Sequence, residues 1–178
     1  NSGAFLFYQK EIEDLNLVRI GLLSYGLYHT RSICEEMKSL YPHIAPCFNL
    51  KSTISYFKVV QQNLGISYSH TYRTTLTTRL VTIPLGYGDG HRRIYSNKGH
   101  VLIKGKKYTI SGNINMDQLM VDIGPSGEGY VGDEVILCGK DKKTQEEISI
   151  YDLAEQANTI PYEVVCSYNL RLPRIYIN

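Results

Sequence analysis

An α+β architecture is predicted: a short α/β segment over residues 1–47, then a mostly β domain over 48–178. Three observations carry it. Leu17 to Leu27 is a continuous apolar run, as expected of a strand buried on both faces in a parallel sheet. From about Phe48, short apolar or Thr-rich stretches recur with turn residues between them, the pattern of an antiparallel barrel or sandwich. Late in the chain Ile150, Leu153, Ala154 and Ala157 fall on one face of a helix.

The elements follow in order. Lys10 to Asp14 is charged and reads as a short helix or connection. Tyr28 to Pro46 has weak periodicity and reads as a linker with one helical turn around Glu35 to Leu40. Leu50 to Val60 alternates around Ile54, Tyr56 and Lys58, Tyr72 to Thr78 is Thr-rich, and Leu80 to Leu85 is apolar. Val101 to Ile110 predicts a hairpin turning at Lys104-Gly105. Leu119 to Ile123 and Glu134 to Cys138 are further strands, the second announced by Gly132-Asp133. Ser149 with Asp152 three residues on resembles a capping box, and Pro161 suits the first turn of a second helix. Leu172 to Ile177 is expected to close the chain as a strand.

Composition narrows the function classes. A net charge of +2, with no dense Lys/Arg cluster among aromatics, argues against nucleic-acid binding. Fifteen tyrosines and no tryptophan point to polar-tipped aromatics at surfaces or sites. Cys34, Cys47, Cys138 and Cys166 show neither C-x-x-C pairing nor a histidine at zinc-like spacing, so reduced thiols in a cytoplasmic setting and no metal are expected. No apolar run approaches the ~20 residues that span a bilayer. The chain opens on Asn1-Ser2-Gly3 without an initiator Met and reads as a piece of a longer polypeptide.

Several residues invite a chemical reading, each beside a plainer one. Tyr68, in Ser67-Tyr68-Ser69-His70, would need its phenol lowered from about 10 to move protons; alone it is more often a strand-end aromatic. Tyr87 lies in Gly86-Tyr87-Gly88-Asp89-Gly90, which fails dinucleotide-loop spacing and is otherwise a Gly-Asp-Gly turn. Arg19 sits within the apolar run, where a guanidinium is either a permanently charged donor at a site or half of a buried ion pair. Met116-Asp117 would be a bend, and Tyr162 a core or cap aromatic.

Taken jointly, these segments resemble the alanine racemase family of pyridoxal-phosphate enzymes. The matches are Asn1-Ser2, Arg19-x-Gly21-x-x-x-Tyr25-Gly26, Ser67-Tyr68, Gly86-Tyr87-x-Asp89-Gly90 and Met116-Asp117-Gln118. Gly132-Asp133-Glu134-Val135, Asp152-Leu153-Ala154, Thr159-Ile160-x-Tyr162-Glu163-Val164 and Arg171-Leu172-Pro173-Arg174 continue them in the same order. The resemblance implies that residues 1–47 end a (β/α)8 barrel, that 48–178 form a barrel-like β-domain, and that the cofactor lysine lies in an upstream barrel half of the same polypeptide. It implies a two-base racemisation of an amino acid in a homodimer, with Tyr68 as the base supplied across the dimer to the partner's site. Met116, Asp117, Tyr87 and Arg93 would line the substrate and its access corridor. Arg19 would hydrogen-bond the pyridine nitrogen of pyridoxal 5'-phosphate, leaving it unprotonated and the electron sink shallower. Ser2, the Gly21 and Leu22 amides and Tyr162 would bind its phosphate. The implied product is D-alanine for peptidoglycan.

Departures at Ser69, Asn113, Asn115 and Pro161 bear on the substrate. Some members racemise serine, including membrane-fused ones of glycopeptide-resistant bacteria; Tyr162 favours alanine, since an open polar residue would better suit a hydroxymethyl group. A non-catalytic β-barrel module is the reading from another class.

Overall fold

The computed structural model describes residues 1–177. The Asn1 side chain accepts the Ala4 amide and starts helix α1 (Ser2–Phe7). Single 3-10 turns follow at Lys10–Ile12 and Leu22–Tyr25, and Thr30 caps α2 (Arg31–Met37). Leu23, Tyr28 and Met37 form a small core with Phe5, Ile20 and Ile33. Arg31 joins α2 to the rest of the chain through Asp152 and Glu155.

The expected buried strand over Leu17 to Leu27 is not formed. Leu17 and Val18 are exposed, Arg19 is exposed, and the run folds into the 3-10 turn at Leu22. A parallel strand exists only through hydrogen-bonded neighbours, and no strand among the described residues pairs with this segment. Arg19 therefore escapes the burial cost that its apolar neighbours suggested. The helix expected at Glu35 to Leu40 begins instead at Arg31, where Thr30 supplies the cap.

From residue 50 the chain is mostly antiparallel sheet with a few helices. Strands β1 (Leu50–Thr53), β2 (Tyr56–Val60), β3 (Gly65–Ile66), β4 (Tyr72–Arg73) and β5 (Thr78–Ile83) come first. After them come β6 (His100–Ile103), β7 (Lys106–Thr109), β8 (Leu119–Asp122), β9 (Glu134–Lys140) and β10 (Glu147–Ile148). One sheet runs β1-β9-β6-β7 with β10 also on β9; a second runs β2-β5-β8; β3 and β4 form a ribbon. An Ile110–Val121 bridge stitches the first sheet to the second. Both sheets bury their inner faces in one core that includes Val81, Ile83, Val101, Ile103, Leu119, Val135 and Leu137.

The alternation over Leu50 to Val60 spans two strands in different sheets. Between them Ile54 is 1% exposed and plugs the core at the crossover. The β6–β7 hairpin turns at Lys104-Gly105 as expected, both with positive φ (49° and 73°), the geometry whose twist matches the flanking strands.

Ser149 and Asp152 form a reciprocal capping box at the start of α3 (Ile150–Gln156), and Pro161 opens α4 (Pro161–Ser167). The closing strand expected over Leu172 to Ile177 is absent. Pro173 withdraws a ladder donor there, and Ile175, Tyr176 and Ile177 are each more than 80% exposed. No described helix is long and apolar enough to cross a membrane.

Two outcomes are expected. Ser149→Ala should cost about 1 kcal/mol of unfolding free energy by urea titration, through loss of the cap. His91 is completely buried against Tyr95, and burial pushes its pKa down to about 4. The unfolded chain takes up that proton near 6.5 and the native state does not. The stability it protects is therefore whole above pH 6.5 and is lost as pH falls toward 4. Urea titrations should show a slope of up to ~1.4 kcal/mol per pH unit across that window, absent in His91→Phe.

Candidate active site

Three loops converge at one end of the β2-β5-β8 sheet. Ser67, Tyr68, Ser69 and His70 form a strained turn in which Ser67, Ser69 and His70 all take positive φ. His70 fits because it lies over Gly65, where a Cβ would come within 2.5 Å of its ring. The turn is tied down: Ser67 Oγ donates to the Asn113 carbonyl (2.5 Å), and Asn113 Nδ2 donates to the Tyr68 carbonyl (2.8 Å). Tyr68 is thus fixed through its backbone while its side chain stays 73% exposed.

The second loop is the 3-10 turn Tyr87–Asp89, closed by Asp89 Oδ2 accepting the Gly86 amide (2.9 Å) and by Gly90 at φ 102°. It lies against the third loop, 113–118, with Tyr87 N donating to Asn115 O (3.0 Å) and Gly88 N to Met116 O (2.8 Å). Gly86 permits this approach, since a Cβ there would stand 2.2 Å from the Asn115 carbonyl oxygen. Arg93 joins through Ser96, whose hydroxyl accepts the Ile114 amide and lies within hydrogen-bond reach of the Arg93 carbonyl. Tyr68, Tyr87, Arg93, Met116 and Asp117 therefore belong to one tied set of loops, each with an exposed side chain. Arg171 pairs with Asp117 and Asp89, and the Asp117 hydrogen bond foremost raises its pKa.

The other predicted residues gather elsewhere. Ser2 Oγ accepts the Gly21 and Leu23 amides (3.1 and 3.4 Å), which leaves its own proton for an outside acceptor. Ser2 and Tyr162 line a cavity of about 370 Å³ with Asn1, Leu27, Tyr28 and His29. The Tyr28 hydroxyl is buried with no partner, and the His29 ring lies 5.9 Å from that of Tyr162. Hydroxyl donors suit a phosphate group, so Ser2, Tyr28 and Tyr162 fit pyridoxal 5'-phosphate at its anionic end. Gly21, Leu22 and Arg19, expected at the same group, do not line the cavity: the Gly21 amide is taken up by Ser2 Oγ, Leu22 is buried, and Arg19 is exposed.

Helix α4 joins the two groups: Tyr162 is on its first turn, and Ser167 Oγ, in its last, donates to the Gly90 carbonyl (3.0 Å). Sequence reasoning assigned no role to His29, Asp89 or Arg171. Only Asp89 and Arg171 carried a signal, as members of quoted motifs.

An exposed phenol and carboxylate thus stand on tied loops at one end of helix α4, and a hydroxyl-lined cavity lies at its other end, a layout that defines a domain with two candidate ligand-handling surfaces. The family described as alanine racemase, C-terminal domain, matches residues 47–176. The chain is 40% identical over its whole length to alanine racemase of Halothermothrix orenii, of which it covers 45%, and 39% identical to alanine racemase 2 of Bacillus subtilis, of which it covers 43%. Among solved structures it superposes on alanine racemase from Streptomyces lavendulae with a TM-score of 0.86 at 34% identity, covering all of this chain and 44% of that one. The enzyme from Oenococcus oeni also gives 0.86, at 33% identity, covering 99% and 47%. The chain belongs to the alanine racemase family, and it spans less than half the length of these relatives.

Gly86→Ala should separate the second and third loops. Amide exchange at Tyr87 and Gly88 should accelerate at least tenfold, with a stability cost of about 1–3 kcal/mol from the forced contact.

Proposed function

We propose that this chain is the C-terminal part of a pyridoxal-phosphate-dependent racemase that interconverts L- and D-alanine as a homodimer. The observation that carries the reading is the tied turn that fixes the backbone of Tyr68 while leaving its phenol open to a second surface. Family membership supports the reaction class.

In this reading residues 1–47 are the end of a barrel completed by the upstream part of the polypeptide, which also supplies the cofactor lysine. Residues 48–178 are the β-domain. Pyridoxal 5'-phosphate, when bound, supplies the electron sink that makes the substrate Cα–H acidic. The Ser2 hydroxyl, the Leu22 amide and Tyr162 would hold its phosphate, while the Gly21 amide, taken up by Ser2 Oγ, would orient that hydroxyl. Arg19 would donate to its pyridine nitrogen and, being always protonated, would give that nitrogen no proton. Tyr68 takes or returns the Cα proton on one face of a substrate in the partner's site, and the lysine serves the other face. Met116, Asp117, Tyr87 and Arg93 line the substrate and its access corridor. The D-alanine formed would serve peptidoglycan synthesis.

In the complete, cofactor-loaded protein, Tyr68→Phe should lower racemisation at least 100-fold. In deuterated water it should abolish α-hydrogen exchange from one alanine enantiomer while the other still exchanges. Unchanged racemisation would remove Tyr68 from the chemistry. L-Alanine should be turned over at least tenfold faster than L-serine; a preference for serine would overturn the substrate assignment.

A further inference from the structure

One cation, Arg171, bridges two of the tied loops. Arg171 Nη2 meets Asp117 Oδ1 at 2.5 Å, and Arg171 Nε meets Asp89 Oδ1 at 3.4 Å. The Asp89 side chain is 10% exposed, and its second oxygen already holds the Gly86 amide. The guanidinium lies directly on Gly88, where an added Cβ would stand 2.5 Å from Arg171 Nη1.

The residues leading to Arg171 grip the same loop. Asn169 Nδ2 donates to Gly88 O (2.7 Å), Asn169 Oδ1 accepts the Arg171 amide (2.9 Å), and Ser167 Oγ donates to Gly90 O. The 86–90 loop is thus held between 115–117 on one side and 167–171 on the other. Among the described residues, Arg171 is the one side chain that pairs with a carboxylate in each of the 86–90 and 115–117 loops.

We infer that Arg171 is a positioning residue, resting on the racemase reading above: its fork fixes Asp117 against the Tyr87 loop and so sets the shape of the substrate face. Pairing at a half-exposed site contributes little to folding. What the fork supplies is direction. A guanidinium can address two carboxylates at a fixed angle, which a lysine ammonium cannot. Without Arg171, Asp117 is a free carboxylate on an exposed loop, and Tyr87 keeps only its backbone ties.

The test uses the full-length, cofactor-loaded enzyme with Arg171→Gln, Arg171→Lys, Asp117→Asn and the Arg171→Gln/Asp117→Asn double variant. Arg171→Gln should lower kcat/KM for alanine about tenfold, mainly through KM, with thermal midpoint and cofactor dissociation constant unchanged. Arg171→Lys should recover only part of that loss. The double variant should be no worse than Asp117→Asn alone, because the guanidinium acts through that carboxylate. Amide exchange at Tyr87 and Gly88 should accelerate at least fivefold in Arg171→Gln while core strands stay protected. Wild-type kcat/KM in Arg171→Gln, full rescue by lysine, additive losses in the double variant or unchanged loop exchange would each overturn the inference. Failure of the racemase reading would appear separately, as a wild-type protein that does not racemise alanine, and the exchange measurement would still report on the loops.

Discussion

The β5–β8 ladder sets the geometry on which the site depends. Its last pair is Ile83 opposite Leu119, both fully buried. From that pair β5 runs out into 86–90 and 113–118 runs in to β8, so the two loops are the two ends of one antiparallel pairing. A slip of one residue would turn the apolar side chains outward and shear the loops past each other. Burial of Val81, Ile83, Leu119 and Val121 therefore fixes where Tyr87 and Asp117 stand, although neither touches the core. The glycines at 86 and 88 let the loops close again beyond the ladder.

The Tyr68 turn is held by different means. It closes the short β3–β4 ribbon, in which Ile66 lies opposite Tyr72, and a mesh of Ser67, Asn113, Asn97 and Thr71 side chains adds to the holding. Ser69 occupies left-handed space (φ 60°) that glycine enters without steric cost, so serine here keeps the turn but strains it.

Elements whose signals are local were legible in the sequence: the Lys104-Gly105 hairpin, the Ser149 capping box and the Pro161 helix start each depend on neighbours a few residues away. The run at Leu17 and the tail at Leu172 were misread because an apolar stretch becomes a strand only when another strand accepts its hydrogen bonds. The break at Ile54 was invisible for a related reason, since alternation continues across a change of sheet. Of the site, the motif glycines and tyrosines were readable, whereas the pairing of Arg171 with Asp89 and Asp117 joins residues more than fifty positions apart. No periodicity reports such a contact.

Helix α4 adds a mechanical consequence. It is two turns long, about 10 Å, with Tyr162 facing the cavity at one end and Ser167 hooked to Gly90 at the other. The hydroxyl-lined cavity and the 86–90 loop consequently share one short helix as a common support.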